Sequence, residues 1–205
     1  MKKNILIEKK LWKWANDLFP ICRSITGEGN RKTLKLISQV CKLKLFEIPT
    51  GTKCFDWSIP FEWNIKDAWI KDSSGKKIID FTENNLHVVG YSIPVNVDVE
   101  YSELKKKLYF LKKRPNSIPY VISYYKRDWG FCLKYNQLKK LDKKSKYKVF
   151  INSSLKKGSL TYGEKLFKGK FKKEIFFSTY ICHPSLANNE VSGPSLCAFL
   201  MKYLE

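Results

Sequence analysis

Residues 175–182 run through Ile, Phe, Phe, Ser, Thr, Tyr, Ile and Cys without a single charge. In a chain where lysine is otherwise rarely far away, such a run is the pattern of a strand buried on both faces. A strand of that kind needs cover above and below, which points the chain towards α/β architecture. Its C-terminal end delivers His183, and open α/β sheets place their ligand sites at the carboxyl ends of strands. A polar loop containing Asn188, Asn189 and Glu190 follows, and then an apolar helix expected from about Ser192 to Leu204.

The rest of the chain reads as shorter elements. Apolar spacing through Ile5, Leu6, Leu11, Trp12, Trp14, Ala15, Leu18 and Phe19 predicts an amphipathic helix over 5–19, ended by Pro20. A glycine-containing loop over 23–30 leads to a second helix over about 31–42 and a short strand over 46–49. From about residue 50 short β-type runs alternate with turn signals, with a hairpin expected around Ser73, Ser74, Gly75 and Lys76. Further strands are expected over 85–91, 119–125, 131–133 and 147–152, with a helix over 102–111 and a short helix or turn over 137–141.

Charge enters because it suggests a partner. The 205 residues carry 39 Lys+Arg against 19 Asp+Glu, a formal net charge of +20. A balance this basic first suggests nucleic acid or an anionic surface. Only Arg23, Arg31, Arg114 and Arg127 are arginine, however, and the lysines are spread along the chain. Phosphate and base recognition favours the guanidinium fork, whereas lysine is mainly a hydrated surface charge. A solvated lysine surface is the preferred reading, with nucleic acid as the minor alternative. No apolar stretch approaches the length of a membrane helix, and the charged start lacks the pattern of a signal peptide, so a cytoplasmic location is expected.

Six cysteines (22, 41, 54, 132, 182 and 197) form no C-x-x-C pair and mostly have apolar neighbours. They read as reduced, buried thiols. Only two histidines are present, His87 and His183. His87 lies in a strand-like apolar run and is expected to be structural. His183 alone sits among oxygen donors at a strand end; by spacing alone a structural histidine is the commoner case, with a divalent-metal half-site as the alternative.

That segment, from Ser178 through Cys182, His183, Asn188, Asn189 and Glu190 to Gly193, resembles the first metal-binding motif of co-catalytic zinc aminopeptidases. Five other stretches, at 19–27, 49–57, 85–91, 124–132 and 158–164, are similar to a bacterial branch of aminopeptidase-like proteins with an inserted β domain. Members of that branch are often found in surface-polysaccharide gene neighbourhoods. The resemblance implies a partial α/β/α sandwich of the zinc-aminopeptidase type. It would be formed by residues 1–50 and 145–205, with an inserted, mainly β domain over 51–144. By the same resemblance His183 is a zinc ligand. Asn189, four residues before Gly193, stands where the wider superfamily has a metal-bridging Asp. An amide oxygen is neutral and bridges two cations less well than a carboxylate; either Glu190 next to it compensates, or the site holds one metal, or it holds none tightly.

Arg23 and Ser24, with Thr26, in the early loop are the candidates to line a substrate cleft together with Glu190; the alternative is that they only shape the loop between two helices. The general base and remaining ligands of such enzymes lie beyond this strand and helix. The chain is therefore expected to be an N-terminal fragment, inactive alone, of a metal-dependent hydrolase of peptide or amide bonds. The alternative is a non-catalytic binding or scaffold module of surface-polysaccharide biosynthesis. Zinc is the implied cofactor and a peptide-like or amide molecule the implied substrate.

Overall fold

The computed structural model describes residues 2–205, with the side chains of residues 2–6 outside that description. The expected contribution of Ile5 and Leu6 to an apolar face therefore lies outside the described residues. In chain order the elements are α1 (Lys2–Leu18), α2 (Glu28–Val40), β1 (Lys44–Pro49), β2 (Lys53–Cys54), β3 (Trp57–Ser58), β4 (Glu62–Lys71), β5 (Lys77–Asp80), β6 (Val95–Glu100), α3 (Tyr101–Lys105), β7 (Leu108–Tyr109), β8 (Phe131–Cys132), α4 (Tyr135–Leu138), β9 (Lys146–Lys156), β10 (Ser159–Glu164) and α5 (Ser192–Leu204). The chain is mixed α/β with small sheets. No helix is long and apolar enough to cross a membrane among the described residues.

Two compact units emerge: residues 1–61 with 157–205, and residues 62–156. Both crossings fall where β4 begins and β9 ends, because Glu62 and Lys156 face each other at the end of one antiparallel ladder. Residues 51–61 stay with the first unit, where Gly51 donates to the Ile59 carbonyl and the Thr50 hydroxyl donates to that of Pro60.

The second unit is built on an antiparallel sheet in the order β5-β4-β9-β6. Its two long strands, β4 and β9, pair along nearly their whole length, with one irregularity between Ile65 and Asp67. Alternation along β9 buries Tyr147, Val149 and Ile151, which pack with Ala68 and Ile70 of β4 as period-2 patterning dictates. Trp63 is buried because its indole N–H finds the Ser92 carbonyl at 2.9 Å while its ring stacks on Tyr91. His87 is buried in a 3₁₀ turn (Asn85–His87), its Nδ1 2.7 Å from the Cys132 carbonyl, and burial lowers its pKa.

Several sequence expectations change here. The run 85–91 forms that turn and two isolated bridges instead of a strand. The helix expected over 102–111 stops at Lys105, because the chain turns to pair Leu108 with Phe131 in parallel. β6 had no distinct signal: its pattern of exposure is that of a polar edge strand.

In the first unit α1, α2 and α5 pack together. Leu34, Ile37, Cys41 and Ala198 form one cluster, and Leu18, Ile21 and Val191 another. The strands here are the antiparallel pair β1–β10 and the short β2–β3 ribbon. The expected α/β/α sandwich with 175–182 at its centre is not what the described residues form. Those residues have no strand partner and are largely exposed, Phe176 by 88%. A central strand exists only through neighbours on both edges, and among the described residues none is present. All six cysteines are free thiols.

Candidate metal centre

The site lies in the first unit, where the end of α1 meets the start of α5. α1 stops at Leu18, and the following loop folds Arg23 back beneath it. Arg23 is 1% exposed; its Nη1 donates to the Leu18 carbonyl at 2.7 Å and its Nε to the His183 carbonyl at 3.1 Å. One guanidinium thus ties the end of a helix to the backbone of the only histidine with a motif. Gly29 lets the start of α2 pass close to the backbone of this loop, since a Cβ there would lie 2.0 Å from the Cys22 carbonyl oxygen. Ser24 is also buried, and its hydroxyl is used inside the loop, donating to the Thr26 carbonyl at 2.6 Å.

After His183 the chain reverses sharply. Ser185 sits at φ 44°, in the left-handed region that L-residues rarely occupy. Its hydroxyl donates to the Phe19 carbonyl at 3.1 Å, fixing the turn to the end of α1. Residues Ala187–Val191 then form a turn of π-helix before α5 begins. Single π turns often accompany functional sites because they rotate one side chain out of the regular helical register. Here the residue turned inward is Glu190, which is fully buried.

Glu190 Oε1 meets His183 Nδ1 in a short contact, and the Cys182 thiol lies 3.7 Å from the same oxygen and 3.4 Å from the same nitrogen. Cys182, His183 and Glu190 are the one group of three such ligand types close enough to share a metal ion among the described residues. Two buried polar atoms nearby lack a hydrogen-bond partner, Glu190 Oε2 and Arg23 Nη2. An orphaned carboxylate oxygen beside an imidazole fits a divalent cation, since leaving such an atom desolvated and unpaired is costly. The thiol fits less well. Burial first, then the Glu190 charge, pushes the Cys182 thiol up to about 12, so it holds its proton at neutral pH. Burial lowers the Arg23 pKa, opposed by the Glu190 charge, which places the guanidinium within electrostatic reach of that carboxylate.

The four residues singled out around His183 thus have different settings. Arg23 and Glu190 are brought to it, Ser24 is spent on its own loop, and Asn189 points outward. Asn189 is exposed, and its Oδ1 accepts from the Tyr180 hydroxyl at 2.5 Å. Cys182, expected as one of the reduced, buried thiols, is a partly buried member of this group. Its adjacency to His183 was the available signal.

A mixed α/β chain thus sets a partly buried His183 against a fully buried Glu190 at the start of a helix. The chain belongs to the family described as a domain of unknown function (DUF4910), which matches residues 12–205. It is 48% identical over 195 residues to a Clostridium acetobutylicum protein named as a candidate polysaccharide biosynthesis protein with an aminopeptidase-like domain. That match covers 95% of this chain and 45% of the relative. A crystal structure of a candidate peptidase from the same organism superposes with a TM-score of 0.93 at 45% identity. It matches 99% of this chain and 49% of its own. The chain therefore spans about half the length of the relatives it matches.

Proposed function

We propose that the first unit carries a metal half-site of an aminopeptidase-like hydrolase acting on peptide-like or amide bonds, with His183 and Glu190 as ligands to zinc. The observation that carries this reading is the contact of His183 Nδ1 with a fully buried Glu190 whose second oxygen has no partner. The names of the two relatives, one with an aminopeptidase-like domain and one a candidate peptidase, support it. Zinc in such a site lowers the pKa of bound water to about 7 and polarises a carbonyl.

This chain's own residues do the positioning. Arg23 holds the His183 backbone, Ser185 clamps the turn, and Tyr180 holds Asn189 as the neutral oxygen donor at the rim. Glu190, at the start of α5, takes the role of anionic ligand that the sequence pattern leaves vacant at Asn189. Zinc analysis after loading and desalting tests this. Stoichiometric zinc is expected in the native chain and background levels in His183→Ala and Glu190→Gln. Equal retention by all three would remove the site.

A second reading, a non-catalytic binding module of polysaccharide biosynthesis, is favoured by Arg23. A buried guanidinium coupled to Glu190 supplies a countercharge without any metal. In that case zinc is not retained, and Glu190→Gln destabilises the chain because the Arg23 charge is left buried and alone.

A further inference from the structure

The first unit exposes an apolar face that no described residue covers. One part is the segment before the site, where Phe171, Ile175, Phe176 and Phe177 are all exposed. The other is the outer side of α5. There Leu196, Leu200 and Tyr203 recur at i, i+4 and i+7 and are exposed, while Pro194, Ser195 and Ala198 are buried. The two parts adjoin, since a Cβ on Gly193 would lie 2.6 Å from Thr179 Oγ1.

A helix apolar on two sides belongs between two layers rather than at a surface. The patch is also large. Three phenylalanines at roughly 150–250 Å² each already approach or exceed the ~300–600 Å² of the largest apolar patch on a typical monomer.

The chemistry of the segment names its occupant. Residues 173–182 form no helix or strand, are uncharged from Ile175 onward, and are rich in β-branched and aromatic side chains. Such backbone offers a row of N–H and C=O groups as well as apolar side chains, and a β-strand satisfies both at once. A lipid surface satisfies only the side chains. The relatives supply the second argument: this chain matches 45% of one and 49% of the other, leaving in each an unmatched polypeptide of similar size.

We propose that this face docks a strand-bearing polypeptide equivalent to the unmatched part of the Clostridium acetobutylicum relative, which pairs with residues 175–182 and covers the outer side of α5. The proposal is independent of whether His183 and Glu190 hold zinc.

Co-expression of this chain with that unmatched part tests it, read by size-exclusion chromatography with light scattering and by hydrogen exchange. An equimolar complex is expected, with amides of 175–182 slowed at least tenfold. Phe176→Asp alters an exposed side chain. It is expected to leave the circular dichroism and thermal unfolding of the chain alone unchanged, while cutting co-purification at least tenfold. The two polypeptides joined by a flexible linker form the second arm, and 175–182 should be slowed there too. Unprotected 175–182 amides in the linked protein overturn the proposal. So does self-association of the chain that Phe176→Asp abolishes, or sedimentation with phosphatidylserine vesicles in place of complex formation.

Discussion

Asp128 shows at the scale of one residue how this lysine-rich chain uses its few carboxylates. Its Oδ1 accepts from Lys107 Nζ at 2.5 Å and from the Trp129 backbone N–H at 2.9 Å, and Lys126 lies 3.1 Å from Oδ2. The hydrogen bond from Lys107 is the main cause holding its pKa down at about 2, against an ordinary 3.8. A carboxyl with a depressed folded-state pKa stabilises the fold fully above its unfolded value and loses that contribution as pH falls through the folded one. Asp128→Asn is therefore expected to lower stability at pH 7 by about 1–2 kcal/mol, allowing for the exposed position of Lys126. Urea titrations from pH 6 down to pH 2 check this. The gap between native and variant should close between about pH 4 and pH 2, and a gap independent of pH would show that the ion pair is not its source. At the candidate site the same scale separates two adjacent residues of similar chemistry. Asn189 and Glu190 are neighbours in a polar loop, yet one is exposed and the other fully buried against His183. Nothing in their order announces which of them turns inward.

The element that decides between them is the π turn Ala187–Val191, whose extra residue per turn sets the direction of Glu190. The long helices were otherwise readable, because 3.6-residue apolar spacing and Pro20 bounded α1, and the apolar run after Ser192 marked α5, whereas the spacing over 102–111 overran α3. Strand pairing was less so. β6 is a polar edge strand, and the two-residue strands β7 and β8 are defined by their parallel pairing with each other and by the bridge from Phe131 to Val88. Helix α2 owes its position to a single missing side chain. Gly29 approaches the Cys22 carbonyl so closely that a Cβ would overlap it at 2.0 Å, and backbone cannot yield as a flexible side chain can. Gly29→Ala is thus expected to cost about 3 kcal/mol. Gly75→Ala, in an open hairpin turn at φ +83°, should cost only about 1 kcal/mol. Equal midpoints in urea unfolding for the two variants would rule out the close approach as the constraint.

Across the whole molecule, local stability should follow the number of ladders a segment joins. Amides of β4 and β9, paired with each other and flanked by β5 and β6, are expected to exchange slowest. Residues 165–182, which join no sheet, should exchange fastest, and a lysine-specific protease should cut first among the exposed Lys168, Lys170, Lys172 and Lys173. First cleavage within the loop 112–117 would contradict that order. The charge of +20 is spread over exposed lysines, so any attraction to nucleic acid is expected to fall steeply with salt. The sequence by itself determined the long helices, the β-rich character of the middle of the chain and the singling out of His183, because periodicity and residue type are local properties. Only the tertiary structure decided that Glu190 and Cys182 share the space of His183, that a buried Arg23 supports it, and that residues 175–182 stand without a sheet. Those are relations between segments up to 160 residues apart, as the hydrogen bond from Arg23 to His183 shows, and no local pattern encodes them.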